Sequence, residues 1–554
     1  MVNPPLRLSR MDTMNKSKRI LILIIILGLA LRVISLDKFP AGFNADEAAI
    51  GYNAYSIIKT GRDEYGELLP LSFKSFGDYK PGLYFYFVIP FVAIRGLTEL
   101  SVRLPSVLLG TGMILLVYLL GSFIFKSRSV GIISALFLAI NPWAIHFSRG
   151  GWETNAATFF ITLGVYLLVK GLNKPWQLFF SLLSFLASIY LYQSPRLVIP
   201  VLLAISLAIF WKEITTTVKS NLKKTSIIVG ILFILALPVA FQFLSGGGSE
   251  RFAGLSFLSD TGPTQRNNEL RGEHESPDSL TPKLIHNKVY AYGMNFLGHY
   301  LDHFTSDFLF VNGDPLIRNK TPETGQFYVI QSLFLLIGLL MLIKFDSKIK
   351  YLLITWVLVT PLASSLTYQT PNAVRALSMV VPLTLIMGYG AVKLIEILKI
   401  KPLQILVVSV LTLFMAYEFT HFVESYTIHS PKRYPLSWEY GFPEMVDKLN
   451  KYEGSVDKVV ITDRYDQPYI LVLFYKKYDP AKYQPQAVLS PRDKFNFGTI
   501  RNFDKYEFHR ANKEEITNSK NTLFIVTPEE AGDHAILDTV YFPNGERAFV
   551  FVRP

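Results

Sequence analysis

Cysteine is absent from the 554 residues, which excludes disulfides and thiolate metal sites and says little about the compartment. Charge is also scarce. Asp, Glu, Lys and Arg make up 18% of the chain, against about 25% in soluble domains. No basic stripe with interleaved aromatics appears, so the net charge of +12 does not point to nucleic acid. No strand–loop–helix context surrounds the Gly-rich Gly246-Gly247-Gly248-Ser249, which reads as loop and not as a phosphate cradle. What fills the chain instead is apolar: 50% hydrophobic and 14% aromatic residues.

The apolar residues come in repeated runs of roughly 17–22, the length at which a helix covers about 30 Å of hydrocarbon. Lipid offers the backbone no hydrogen-bond partners, so such runs must satisfy themselves as helices. A basic N-terminus (Arg7, Arg10, Lys16, Lys18, Arg19) precedes the run Ile20–Leu36. It lacks a clean small-x-small cleavage site, so the run reads as an uncleaved first span with residues 1–19 in the cytoplasm. The run Leu83–Ile94 is too short to span and reads as an interfacial or re-entrant helix. Further spans follow at 104–125, 130–147, 153–170, 175–191, 197–211, 226–244, 326–343, 351–367, 376–396 and 402–422. The basic connections 126–128, 170–174, 212–224, 344–350 and 393–401 then all fall on the cytoplasmic side.

The expected fold is therefore an α-helical polytopic membrane protein with about eleven transmembrane helices plus interfacial helices. The membrane part would cover 20–423, with outer loops at 37–103 and 245–325. Residues 424–554 would form an extracytoplasmic α/β domain. There, Val456–Thr462 and Thr522–Thr527 read as strands, and a hairpin turns at Pro543-Asn544-Gly545. Segment 467–477 fits helix or strand.

Candidate chemistry gathers at the outer span ends. Asp46 and Glu47 are adjacent carboxylates shortly after the first span. One reading is helix capping, with Asn44 or Asp46 as N-cap and acids favoured in the first turn. The other is a carboxylate that takes a proton from an acceptor hydroxyl, or a pair that binds a cation. Asp78-Tyr79-Lys80-Pro81 precedes the interfacial helix. Lys80 either snorkels to headgroups or holds a lipid phosphate as it leaves a sugar. His146, Arg149 and Glu153 cluster in a short outer loop, where ionisable groups are functional candidates. Arg196, Arg318, Lys320 and Arg375 add cations at the same face, which the positive-inside pattern leaves unexplained and a shared anionic ligand would explain. His286, His299 and His303 lie in the large outer loop. The i,i+4 spacing of the last two suits a shared helix face, but two histidines without a third ligand make a weak metal site.

Taken in order, the Asp46-Glu47 pair, the Lys80-Pro81 step, the run Glu99-Leu100-Ser101-Val102-Arg103-Leu104-Pro105-Ser106 and Glu153 resemble the GT-C glycosyltransferases. The likeness is to the protein O-mannosyltransferase and aminoarabinose-transferase type (family 39 and its bacterial relatives). It covers about residues 20–200 and continues loosely through Gly313-Asp314, Gly325 and Arg375-Ala376.

The resemblance implies a GT-C fold, a sugar donor on polyprenyl or dolichyl phosphate, and inversion at the anomeric carbon. It implies that Asp46 is the catalytic carboxylate and that Lys80 contacts the lipid phosphate. Arg149 and Arg375 would assist at the phosphate. Glu47 would act beside Asp46. Glu153, Asp78, His146 and Arg318 would contact the acceptor or a cation. A divalent cation, if one binds, would use Asp46, Glu47 and Glu153. The sequence departs from aminoarabinose relatives that carry an acid directly beside the lysine, so their metal site is not carried over. The domain inserted in eukaryotic mannosyltransferases has no counterpart here.

The implied protein is a multi-pass plasma-membrane enzyme with its site outside. Its partners would be a polyprenyl-phosphate-linked sugar, membrane lipid, and a glycan, lipid or protein acceptor. Three alternatives remain: an O-antigen ligase or oligosaccharyltransferase-type enzyme, a lipid or sugar transporter, and a non-catalytic sensor or scaffold that displays the C-terminal domain. Transporters favour midplane ionisable groups and internal repeats. This chain shows candidates at span ends and no repeat.

Overall fold

The structure is a computed structural model that describes residues 5–244, 258, 260–492 and 497–554. The stretch Gly246–Ser249 lies outside the described residues. The chain divides into two compact units.

The first unit holds Met1–Leu31, Leu109–Ile145 and Thr154–Phe422. It is built of helices: α1 (Pro5–Val33), the later part of α4 (Glu99–Ile124), α5 (Arg128–Ile140), α7 (Glu153–Gly171), α8 (Pro175–Leu191), α9 (Pro195–Ile209), α10 (Trp211–Ser220) and α11 (Leu222–Leu244). Apolar helices Ile330–Ile343, Ile349–Val359, Val380–Ile397 and Lys401–Glu424 follow. Small residues let three of them touch backbone to backbone. A Cβ on Gly338 or Gly390 would strike the carbonyl of Ile386 or Phe334, and one on Gly388 would strike Ser134 of α5. Close approach through small residues is how helices associate where lipid removes the hydrophobic drive.

Every run read as a crossing contains helix, although 326–329 and the break at 360–361 are not helical. Among the described residues five helices are long and apolar enough to cross a membrane, or up to seven if each bent pair is one span. One bent pair is α5 with α6 (Pro142–Arg149), which meet at 55°. The break is local chemistry: Pro142 brings no N–H, and Asn141 Oδ1 accepts from Ala144 N (2.8 Å) to start a new helix. The other pair is α9 with α10, bent by 86°, so the crossing expected at 197–211 stops at Ile209. Helices Leu222–Gln242 and Lys401–Arg433 have almost none of their apolar windows buried. Such surfaces suit contact with lipid.

The second unit holds Arg32–Leu108, His146–Glu153 and Val423–Pro554. The loop 37–103, grouped with the membrane part in the sequence reading, thus packs with the C-terminal residues. Its elements are α2 (Ala45–Thr60), strands β1 (Ser72–Ser75) and β2 (Asp78–Pro81), and α3 (Leu83–Arg95). At about 1.5 Å per residue the thirteen residues of α3 extend about 20 Å, short of the hydrocarbon thickness. β1 and β2 pair antiparallel, with Phe73 opposite Lys80.

Six further strands form one sheet: β3 (Lys458–Ile461), β4 (Asn502–Phe503), β5 (Tyr506–Phe508), β6 (Thr522–Val526), β7 (Ile536–Tyr541) and β8 (Arg547–Val552), in the order β4-β5-β3-β6-β8-β7. β3 runs parallel to β5 and β6, and β7–β8 is the antiparallel hairpin around Pro543–Gly545. Segment 467–477 is helical over Pro468–Lys476.

That helix packs on α2. Gly51 makes the approach feasible, since a Cβ there would lie 2.5 Å from the Phe474 ring and 2.7 Å from Val102. Phe43, just before α2, packs on Phe474 with centroids 4.6 Å apart and the rings tilted by 39°. Helix α2 is therefore buried along most of its length, and only part of its surface stays open.

Candidate active site

The N-terminus of α2 is fixed by a reciprocal cap. Asn44 Oδ1 accepts from Glu47 N (3.0 Å), and Glu47 Oε2 accepts from Asn44 N (3.4 Å) and Nδ2 (3.2 Å). This is a capping box with Asn in the usual Ser/Thr place. Glu47 is also gripped from α4. Arg103 Nε donates to Oε1 (2.9 Å) and Nη2 to Oε2 (3.2 Å), while Gly151 N adds 2.7 Å to Oε1. The same guanidinium donates to the carbonyls of Leu36 (3.0 Å) and Gly42 (2.5 Å) and lies over the Phe43 ring. Both partners are buried. Glu47 is thus the anchor of the loop that delivers α2, and the structure corrects its expected catalytic role: its oxygens are already saturated by donors.

Asp46 precedes it by one residue, about 100° round the helix, and faces outward. Its side chain is 35% exposed, and Lys80 Nζ contacts its Oδ1. Lys80 reaches it from β2, 13% exposed, with the ammonium 5.4 Å from the centre of the Phe76 ring. An accessible carboxylate and a half-shielded ammonium therefore share one place. Asp78, at the start of β2, accepts from Tyr79 N (2.7 Å) beside the hairpin turn.

The remaining expected residues separate into two kinds. Arg149 is tied to the chain after α1: Nη2 donates to the carbonyls of Ile34 (3.0 Å), Ser35 (3.0 Å) and Phe39 (2.9 Å), and Nε also meets Phe39 (3.2 Å). It is 4% exposed, so the structure corrects its assignment to a donor phosphate: its donors already hold this turn. His146 is buried, edge-on to Phe147, Tyr426 and Trp438. Glu153 opens α7 and is partly exposed.

Arg375 and Arg318 belong to the first unit. Arg375 Nη1 donates to Thr367 Oγ1 (2.9 Å) and lines a void of about 10 Å³ with Thr154, Tyr192, Ser194 and Ser378, room for a single water. Arg318 sits on the turn Ile317–Asn319. Asp314 accepts from Leu316 N (2.7 Å), Asn319 Nδ2 (3.2 Å) and Ala373 N (2.6 Å), fixing the loop that carries Arg375. Burial raises the Asp314 carboxyl above its usual range. His303 is buried between His299 O (2.9 Å), Ser364 Oγ (2.8 Å) and Asn372 N (3.1 Å). Burial lowers its pKa to about 4, so it is a neutral structural histidine. No group of three or more His, Asp or Glu gathers as metal ligands among the described residues. Glu47, saturated as it is, does not fit a cation site.

Residues 79–241 match the family model described as dolichyl-phosphate-mannose-protein mannosyltransferase. Among solved structures, the chain is similar to ArnT from Cupriavidus metallidurans bound to undecaprenyl phosphate: 10% identity, TM-score 0.56, covering 96% of this chain and 97% of that one. It is also similar to the Archaeoglobus fulgidus oligosaccharyltransferase tethered with an acceptor peptide: 12% identity, TM-score 0.50, covering 83% of this chain and 63% of that one. The structural matches show a GT-C type fold, and residues 79–241 carry a sequence likeness to the mannosyltransferase family. No curated protein matches it in sequence.

Two groups in this fold were not legible in the sequence. Arg103 was quoted only as part of a motif, and its grip on Glu47 went unread. An arginine at the mouth of an apolar helix was the available signal, since a charge there needs a partner. Glu64, buried in the loop after α2, had no signal at all.

Proposed function

We propose that the chain is an inverting glycosyltransferase that moves a sugar from a polyprenyl-phosphate donor to an acceptor hydroxyl or amine on the extracytoplasmic face of the plasma membrane. The contact between Asp46 and Lys80 carries the reading. A base and a phosphate-binding cation are the two groups this reaction needs, because a glycosyl phosphate already has a good leaving group and requires no general acid. The GT-C fold supports the donor class, since a relative of that fold holds undecaprenyl phosphate.

In the resting chain Asp46 and Lys80 neutralise each other. A donor phosphate competes for the ammonium and releases the carboxylate. The acceptor oxygen or nitrogen then attacks the anomeric carbon from the face opposite the phosphate. As the new bond forms, the bond from the anomeric carbon to the phosphate oxygen breaks with its electron pair on the phosphate, which Lys80 holds. The acceptor's proton passes to Asp46. Glu153 and Asp78 are carried as further acceptor or cation contacts. The charge pattern of the loops supports eleven crossings, with residues 424–554 outside as an α/β domain.

The test uses the full-length protein in lipid with a labelled polyprenyl-phosphate sugar and envelope extract as acceptor. Asp46→Asn should lower turnover by about 100-fold or more, the usual worth of a general base, with thermal unfolding little changed. Undiminished transfer rejects Asp46 as the base. Lys80→Ala should raise the donor KM about tenfold, as expected for a lost charge-assisted contact. An unaltered donor KM removes its phosphate role. The oligosaccharyltransferase-type reading is favoured by the second structural match. Transfer of a preassembled glycan in preference to a single labelled sugar would establish it.

A further inference from the structure

Glu64 is fully buried, and the reading above does not use it. Its backbone N–H donates to Asn53 Oδ1 (2.9 Å), and its Oε1 accepts from Asn53 Nδ2 (3.0 Å). Its other oxygen is buried without a hydrogen-bond partner. An ionised carboxylate is costly in such a place, and a neutral acid is far less so. The surroundings are tyrosines. Tyr65 and Tyr469 hydroxyls meet at 3.4 Å, Tyr52 donates to the Tyr478 carbonyl (3.1 Å), and the Tyr483 hydroxyl is buried without a partner. The titratable groups that face Glu64 are Asp63, Lys80 and the four tyrosines 52, 65, 469 and 483.

This box adjoins the candidate site. Asn53 lies two turns after Asp46 on the same stripe of α2. The Lys80 ammonium lies over Phe76, whose ring meets Tyr469 edge-on at 6.2 Å, and Tyr469 touches Tyr65 beside Glu64. A run of contacts thus leads from Asp46 and Lys80 to Tyr65, the residue next to the buried acid in the chain.

We propose that Glu64 is a positioning residue for Lys80, setting how much of the ammonium's charge a donor phosphate can claim. The inference rests on the phosphate role given to Lys80 above. Burial, first among the causes, raises the Glu64 carboxyl to about 8, against the Asn53 hydrogen bond and the nearby Lys80, which favour the ionised form. Near neutral pH the acid is uncharged and leaves Lys80 to Asp46 and the donor. Above about 8 it becomes a carboxylate, draws the ammonium inward and weakens its hold on phosphate.

The experiment measures undecaprenyl phosphate binding to the full-length protein in nanodiscs from about pH 7 to about pH 9.5, a range in which a phosphate monoester is already largely doubly ionised. Affinity of the unsubstituted protein should weaken roughly fivefold, the size of one partly screened charge acting over several ångströms. E64Q, which keeps the shape and cannot ionise, should lose that decline. A flat profile in the unsubstituted protein overturns the proposal without any variant. A parallel decline in E64Q also overturns it and assigns the titration to Lys80 or another group. Lys80→Ala separates the two levels of argument. If it binds the lipid as tightly as the unsubstituted protein, the phosphate role of Lys80 falls. If it binds weakly while the E64Q profile is unchanged, only the role of Glu64 falls.

Discussion

Two ion pairs sit within one helical turn at the start of α2, and they have opposite characters. The inner pair, Glu47 with Arg103, is buried, bidentate and surrounded by further donors. The outer pair, Asp46 with Lys80, lies on a partly exposed carboxylate. A saturated pair holds the chain in place and has no lone pair to offer a substrate. A pair with one partly solvated partner is held less firmly and can be taken apart by a competing anion. The lesson is that adjacent acids on a helix, about 100° apart, can be assigned to structure and to chemistry by counting donors.

Stability measurements test this contrast. Arg103→Ala or Glu47→Ala should have the largest effect, about 3–5 kcal/mol, because each strands a buried charge. Loss of folded protein or a large fall in thermal midpoint would show it, and a fall no larger than that of Asp46→Asn would erase the distinction. Asn44→Ala should cost about 1 kcal/mol, the usual worth of an N-cap, read from the same melt. Asp46→Asn should change stability least, by about 0–1 kcal/mol, since the carboxylate is partly solvated and the amide oxygen can still accept from Lys80. Its effect on turnover should be the reverse, the largest of the series.

Much of the first unit is legible as hydropathy because lipid demands uninterrupted apolar helices. The helix Val380–Ile397 and α7 fall within a few residues of the runs read from sequence. The bends at Asn141-Pro142 and after Ile209 are less visible, since apolar character continues up to them. In the second unit the hairpin β7–β8 announces itself through Pro-Asn-Gly between alternating residues. The hairpin β1–β2 does not, because strands of four residues carry too little pattern. Pro468–Lys476 stayed ambiguous for a physical reason: seven of its nine residues are buried, so it shows no polar face and no period. Arg149 misled because a cation near other polar residues looks the same whether it awaits a ligand or holds carbonyls of its own chain.

By itself the sequence determined that this chain lives among lipids, that its polar candidates cluster at helix ends, and that Asp46 and Lys80 belong to one loop. Length and polarity of a run are local properties, and the bilayer reads them directly. Which acid is sequestered and which is offered was decided only in three dimensions. Burial and donor count depend on Arg103, Gly151 and Phe76, residues whose arrival at α2 is a consequence of packing.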